Sequence, residues 1–255
     1  MTRTSQTTAA STRPRTSTLD RATLMRLAPT EYERVSAALG ALTTKDWAKP
    51  TDCPGWDVRT LTTHMLAMAE MAASIREGSR QQKAANKRGG IFIDALTALQ
   101  VEERAGMTGQ EATARFRVVG PKAARARRRT PGFIRRRSMP MDQPVGGHLE
   151  PWSLGFLIDT ILTRDPWMHR IDLSRATGRD LELTAEHDGV IVADVVTEWS
   201  ARHGQPCELV LTGPAGGRWS WGKDGPVIEL DAVEFCRVLS GRAPATGLLT
   251  TEVPF

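Results

Sequence analysis

The chain has 255 residues, a formal net charge of +5, and 40% hydrophobic and 25% charged residues, as is ordinary for a globular protein. Its three cysteines, Cys53, Cys207 and Cys236, form no C-x-x-C pair, which argues against a disulfide framework and a cysteine zinc site. No stretch has the length of a signal-peptide core or a membrane span. We therefore predict a cytoplasmic protein with no membrane partner and a disordered, weakly basic tail over residues 1–18.

The first predicted helix follows this tail, where apolar residues recur at helical spacing from Leu24 to Leu42. Thr30 and Glu33 are placed as a capping box, and Pro29 is a candidate break. Prolines and a glycine between residues 50 and 55 then predict an irregular approach to the next helix.

The second predicted helix begins at Val58, with Asp57 as its N-cap, and has a long apolar stripe. His64 lies at the rim of that stripe. A lone histidine in such a position is more often a hydrogen-bonded edge residue than a ligand. An imidazole there is nevertheless neutral at physiological pH and could meet other ligands across a helical bundle.

The middle of the chain predicts a polar loop or frayed helix end over residues 77–90 and helical structure over residues 91–119, interrupted near residues 106–109. Basic residues then crowd between Arg115 and Arg137, with no acid among them. Because this run contains Pro and Gly and no recognisable nucleic-acid module, it predicts a solvated, partly mobile connection, and nucleic acid is not an expected partner.

Residues 163–178 contain the most unusual pattern. A helix through them places Asp165, His169 and Asp172 on one side, in line with an apolar stripe that precedes them. Core positions rarely carry such groups unless they are paired or bind a metal. Asp165 precedes Pro166, however, so it could instead be the N-cap of a helix that starts there. The two interpretations are not exclusive, because a proline kink within a longer helix would leave Asp165 and His169 on one side and alter their separation. On this stretch alone, a capping role for Asp165 is slightly favoured over metal binding. A second histidine in a matching context would favour metal binding instead.

After Gly178 the pattern changes. Residues 187–203 predict an amphipathic helix ending at Gly204, residues 207–222 predict two strands joined by a turn, and residues 227–239 predict a strand and a helix. These elements make a small α+β unit, against which the last residues dock. The helices before it fit an antiparallel four-helix bundle.

His64, Asp165 and His169 together form a set of two imidazoles and one carboxylate that leaves coordination positions open, as catalytic metal sites do. Zinc is the default ion for this set, although iron or nickel would also accept it. Asp172 could orient a ligand, act as an acid or base, or simply pair with a neighbouring arginine, Arg170 or Arg175. The remaining histidines, His148, His187 and His203, are weaker candidates, and Cys53 is interpreted as a packed thiol.

Two blocks, D-C-P-G-W-D-V-R-T-L-T-T-H-M-L-A and R-D-P-W-M-H-R-I-D-L-S-R-A-T-G, resemble the signature blocks of the mycothiol-dependent maleylpyruvate isomerase family. The resemblance continues through L-T-G-P-A-G-G-R-W-S-W-G and V-L-S-G-R-A-P, and so covers nearly all of the chain beyond the tail. It implies an α+β protein in which a DinB-like, metal-binding antiparallel four-helix bundle (19–180) precedes a small sterol-carrier-like α+β domain (181–255).

Carried over by position, the resemblance implies that His64, Asp165 and His169 are the metal ligands. It also implies that Asp172, an acid close to the metal, and Arg242, contributed by the second domain, are catalytic. The chain departs from the family at its carboxylate, which is typically a glutamate and is here the shorter Asp165.

The resemblance further implies two cofactors, a divalent metal, zinc by default, and mycothiol. The metal lowers the thiol pKa, so that a thiolate can add to the cis double bond of maleylpyruvate; rotation and elimination then give the trans product. A small-molecule electrophile is the expected partner, and Arg242 would suit a carboxylate on it. An isomerase and a mycothiol S-transferase fit equally, and a non-catalytic binding or regulatory protein that keeps the fold is the alternative.

Overall fold

The computed structural model describes residues 13–255, so most of the predicted tail, residues 1–12, lies outside the described residues. Residues 13–18, which the sequence analysis assigned to the tail, are among the described residues. The backbone of Arg15 forms a parallel bridge with Trp152, and its guanidinium pairs with Glu150 at 2.9 Å. Residues 13–18 are therefore not a free tail, because Arg15 has a carboxylate and a backbone partner to bind.

Helices dominate the N-terminal part. In chain order they are α1 (Arg21–Gly40), α2 (Val58–Ala73), α3 (Ile75–Arg88), α4 (Phe92–Glu102), α5 (Gly109–Arg129) and the short α6 (Gly132–Arg135). A hairpin of β1 (Gln143–Val145) and β2 (His148–Glu150) follows, then α7 (Leu154–Phe156), a π-helical turn (Leu157–Ile161) and α8 (Leu162–Thr177). Helices α1, α2, α5 and α8 pack into the four-helix bundle that the sequence predicts, and α3 and α4 cover α2.

Two local predictions in this part are wrong. Helix α1 starts at Arg21, capped by Asp20, and continues through Pro29 without a break, so Thr30 is not its cap. Residues 77–90 belong largely to α3, which begins behind the N-cap Ser74. This polar helix is stable because Gln81 is fully buried against α2, donating to the carbonyl of Ala67.

The helix that carries the acid and imidazole pattern is continuous in space from Leu154 to Thr177, with the π-helical turn inside it. Asp165 is therefore a helix-interior residue, and the N-cap interpretation of the Asp165-Pro166 pair is wrong. Proline has no amide hydrogen, so the carbonyl of Leu162, four residues before Pro166, loses its usual donor. Arg127 supplies a replacement, donating from Nη1 to the Leu162 oxygen at 2.9 Å.

Arg127 also corrects the prediction of a mobile arginine-rich connection. Most of that run lies in α5, and the Arg127 side chain is buried. Its Nε donates to the carbonyl of Ile158 at 2.7 Å and its Nη2 to that of Asp159 at 3.1 Å, both in the π-helical turn. Burial lowers the pKa of Arg127. The residue thus fixes the irregular part of the helix that leads to Asp165.

We expect Arg127→Met to destabilise the fold by about 3 kcal/mol, because it leaves buried carbonyls of the π-helical turn without donors. Arg129→Met, an exposed position on the same helix, should change stability by less than about 0.5 kcal/mol. Urea unfolding of both variants measures this difference, and equal stabilities would contradict the role given to Arg127.

The C-terminal part is the predicted small α+β unit. It contains a π-helical turn (Ala185–Gly189), α9 (Val190–His203), β3 (Cys207–Thr212), β4 (Gly217–Trp221), β5 (Val227–Asp231), α10 (Ala232–Leu239) and a 3-10 turn (Gly247–Thr250). The strand order is β4-β3-β5, with β3 antiparallel to β4 and parallel to β5. Alternate residues of β3, Cys207, Leu209 and Leu211, are buried beneath the helices.

Helix α8 belongs to the bundle and also packs against this unit. Its Trp167, Met168 and Ile171 share one hydrophobic core with residues of α9 and α10 such as Trp199 and Phe235. The predicted docking of the chain end agrees with the stacking of Phe255 on Trp167. The division into domains 19–180 and 181–255 stays a prediction. No helix among residues 13–255 is long and apolar enough to cross a membrane.

Candidate metal and catalytic site

His64 on α2 and the pair Asp165 and His169 on α8 meet inside the bundle. The Oδ1 atom of Asp165 lies 3.6 Å from Nε2 of His64 and 3.4 Å from Nε2 of His169. The two imidazoles meet edge to face, with ring centroids 5.2 Å apart. Both histidines are at least nine-tenths buried. The structure thus brings together all three residues that the sequence analysis proposed as ligands.

The separation of these atoms is close to the spacing of ligands around a bound cation. Strong hydrogen bonds between nitrogen and oxygen are shorter than the 3.4 and 3.6 Å found here. Four ligands at about 2.0 Å from a zinc ion stand roughly 3.3 Å apart at the corners of a tetrahedron. The three donor atoms lie within 4.8 Å of one another, so they could occupy three corners of such a shell and leave the fourth open.

The electrostatics of the cluster favour positive charge. Burial alone would raise the pKa of Asp165, but the facing His169 and His64 hold it well below its usual range. Burial would likewise lower the pKa of His169, yet the Asp165 carboxylate raises it well above the ordinary value. Asp165 is consequently ionised throughout the physiological range and draws a proton or a metal ion toward the imidazoles.

Asp172 fixes the orientation of His169. Its Oδ2 lies 2.9 Å from Nδ1 of His169, and the carboxylate is fully buried. An ionised carboxylate can only accept, so Nδ1 carries a proton, and Nε2 is the nitrogen that faces Asp165 and His64 and would bind a cation after losing its own proton. A carboxylate behind a histidine in this way is the usual support for a metal-ligating imidazole.

Arg242 is the second hydrogen-bonding partner of Asp172. It donates from Nε to Oδ1 and from Nη2 to Oδ2, each at 2.9 Å, in a bidentate pair. Burial would raise the pKa of Asp172, but His169 and Arg242 outweigh it and bring the pKa to about 2. The alternative pairing of Asp172 with Arg170 or Arg175 is wrong, because those arginines bind other carboxylates.

The loop before α2 adds two side chains that the sequence analysis did not assign to the site. Cys53 is half-buried, with Sγ 3.5 Å from Oδ2 of Asp172 and 3.7 Å from Nη2 of Arg242. The Trp56 ring lies 5.1 Å from the His64 ring. The C-P-G-W sequence within the first signature block is the signal that could have found them.

Asp52, next to Cys53, ties this loop to the C-terminal unit. It accepts a hydrogen bond from Nη2 of Arg237 at 2.9 Å and one from Nε of Arg175 at 2.8 Å. The same Nη2 of Arg237 donates to the backbone oxygen of Arg242 at 3.3 Å. Asp52 therefore holds, through Arg237, the loop that brings Arg242 to Asp172.

We expect Asp52→Asn to lower kcat/KM about tenfold while the metal content stays unchanged, because Arg242 would lose its support but the ligand set would not. Glu234→Gln is the matched control. Glu234 also accepts a hydrogen bond from Arg237, at 2.6 Å. Both residues lie on α10, so this contact does not connect α10 to the loop before α2. Steady-state kinetics with metal analysis tests this, and equal kinetics in the two variants would contradict the role of Asp52.

The other histidines lie elsewhere. His148 is exposed on β2, and Nδ1 of His203 accepts from the backbone of Gln205. His187 does form a second cluster with acids, Glu31 and Asp188. Arg170 occupies both carboxylates of that cluster, donating to Glu31 at 2.9 Å and to Asp188 at 2.6 Å, so it is a buried ion-pair network that joins α1 to α8.

The fold and site together define a protein class: a four-helix bundle with an internal cluster of two histidines and a carboxylate, joined to a small α+β unit that contributes an arginine. The family model described as the mycothiol maleylpyruvate isomerase N-terminal domain matches residues 28–174. This match spans more than half of the chain, and the chain belongs to that family.

Solved structures agree on the fold. The crystal structure of the mycothiol-dependent maleylpyruvate isomerase is 16% identical in sequence, with a TM-score of 0.59. A histidine-to-alanine mutant of that enzyme is 15% identical, with a TM-score of 0.58. Each match covers 92% of this chain and 95% of the other. The search of curated proteins gave no match.

Proposed function

We propose that this protein is a metal-dependent enzyme that uses mycothiol as thiol cofactor or co-substrate. It would act in the cytoplasm on a small-molecule electrophile, as a cis-trans isomerase of the maleylpyruvate type or as a mycothiol S-transferase. The observation that carries the proposal is the convergence of His64, Asp165 and His169 beside the paired Asp172 and Arg242. Membership of the family supports mycothiol as the thiol.

The ligand set fits a divalent cation, with zinc favoured by the ligand types. His64 and His169 would bind it through Nε2 and Asp165 through Oδ1. The short side chain of Asp165 is no obstacle, since its Oδ1 already lies 3.4 Å from Nε2 of His169. When bound, the cation and mycothiol would together supply a thiolate nucleophile at neutral pH.

Asp172 and Arg242 have separate tasks in this proposal. Because its pKa is about 2, Asp172 is a carboxylate at neutral pH and serves as an acceptor, which holds His169 and is available as a base. Arg242 is one-sixth exposed and would place its positive charge against a carboxylate of the substrate. A cavity of about 420 Å³ lies between α4 and Trp56, whose ring contacts that of His64.

The test of the proposed function is an assay of the zinc-loaded protein with mycothiol. Maleylpyruvate is added in one arm, and the trans isomer is followed by ultraviolet absorbance. A panel of electrophiles is added in the other, and mycothiol conjugates are detected by mass spectrometry. Isomer formation assigns the isomerase, and conjugate formation assigns the transferase. Mycothiol binding with neither product would favour the non-catalytic binding protein.

A further inference from the structure

A second cavity, of about 410 Å³, lies between α1 and α5 and shares no residue with the metal site. This volume is within the range of small-molecule pockets. Tyr32 and Ala124 form its buried floor, and exposed and half-buried side chains of both helices form its walls. The proposed function makes no use of it.

The walls of this cavity are positively charged. Arg117, Arg125 and Arg128 line it from one face of α5, and Glu33 on α1 is the lone acid among its lining residues. Among the described residues, none of these three guanidinium groups has an ion pair or a hydrogen bond. Arg115, on the same helix, does pair with Glu70. The cavity therefore concentrates cationic donors that the fold itself does not use.

Two prolines give the cavity hydrogen-bond acceptors as well. Pro29 lies inside α1 and Pro121 inside α5, so the carbonyls of Met25 and Arg117, four residues earlier, lose their helical donors. Met25 and Pro29 both line the cavity, and so do Arg117 and Pro121, which places these carbonyls at its wall.

These two carbonyls differ from the one that Pro166 frees. The Leu162 carbonyl has a replacement donor in Arg127. Within the described part of the chain, no side chain donates to the carbonyl of Met25 or Arg117. The cavity thus presents guanidinium donors for an anion and, close by, backbone acceptors for hydroxyl groups.

We propose that this cavity is a binding site for a phosphate ester of a polyhydroxylated small molecule. Arginine donates in a planar fork that matches phosphate oxygens, so the phosphate would lie against Arg117, Arg125 and Arg128. Hydroxyl groups of the esterified body would donate to the carbonyls of Met25 and Arg117. The site is independent of the metal centre and of the reaction proposed for it.

Calorimetric titration with three probes tests the phosphate part of this proposal. Glucose 6-phosphate is expected to bind more tightly than inorganic phosphate, and glucose is expected not to bind. The Arg125→Gln/Arg128→Gln variant should weaken binding of both phosphates at least tenfold, because it removes charged hydrogen bonds. Arg129→Gln, on the same helix but outside the cavity, should leave affinity unchanged. Absence of phosphate binding, or equal affinity in the two variants, would overturn the proposal.

Pro121→Ala tests the hydroxyl part separately. Alanine restores an amide hydrogen that can bind the carbonyl of Arg117 within α5. We expect the affinity for glucose 6-phosphate to fall toward that for inorganic phosphate, while the affinity for inorganic phosphate stays the same. If the two affinities do not move relative to one another, the carbonyls take no part and the site is a simple anion site, contrary to what we propose.

Discussion

His169→Ala is expected to remove bound metal and to lower mycothiol-dependent kcat/KM at least 100-fold. The substitution deletes one of the three proposed ligands, and it also deletes the group through which Asp172 is joined to the cluster. His64→Ala should give the same result from the opposite helix, since its Nε2 faces the same oxygen of Asp165 at 3.6 Å.

Elemental analysis together with kinetics on the purified variants measures this prediction. The wild-type protein should contain close to one zinc per chain, and both variants should contain almost none. His148→Ala is the matched control, because His148 is exposed on β2 and should leave metal content and rate unchanged. Metal retained at wild-type level in either cluster variant would contradict the ligand set.

The second large effect is expected from Asp172→Asn. The amide keeps the shape of the side chain but loses the negative charge that faces both His169 and Arg242. His169 would lose its fixed tautomer, and the buried part of Arg242 would lose its counter-charge. We expect metal affinity and kcat/KM each to fall about 10- to 100-fold.

Arg242→Gln separates the two tasks of this pair. It should leave the metal content unchanged and raise KM for a carboxylate-bearing substrate about tenfold, because it removes a charge-assisted contact and no ligand. Arg218→Gln, an exposed arginine on β4, is the control. If Arg242→Gln and Asp172→Asn have the same effect on metal affinity, then Arg242 acts only by supporting the ligands.

The elements that could be predicted from the sequence are those with local signals. Helix α2 has an N-cap in Asp57 and an unbroken apolar stripe, and α9 has a glycine C-cap in Gly204. Helix α3 lacks such a stripe. Its local signals are the N-cap Ser74 and Glu77 three residues later, whereas the burial of Gln81 and Ala85 depends on tertiary contacts that the local sequence does not reveal.

The position of the arginine run in the fold could not be predicted from its local sequence either. Its composition is that of a solvated connection, but a proline and a π-helical turn elsewhere in the chain create free carbonyls that draw Arg127 into the interior. The alternative interpretation of Asp165 as an N-cap before Pro166 fails for a related reason. The carbonyl that Pro166 frees in α8 is satisfied by Arg127, which lies 35 residues earlier in sequence.

The candidate site could be predicted in part. Helical spacing alone puts Asp165, His169 and Asp172 on one side of a helix, the position of His64 at the rim of another apolar stripe made it a candidate partner, and family resemblance added Arg242. The contacts of Cys53, and the connection from Asp52 through Arg237 to the Arg242 loop, join residues far apart in the chain. Such contacts depend on how the C-terminal unit docks on the bundle, which residue spacing does not encode.

X-ray absorption spectroscopy of the zinc-loaded protein, before and after addition of mycothiol, tests directly whether His64, Asp165 and His169 hold a cation that binds sulfur. We predict a first shell of nitrogen and oxygen atoms with two imidazoles, to which mycothiol adds one sulfur at about 2.3 Å. A shell without imidazole, or one that gains no sulfur when mycothiol binds, would contradict this prediction.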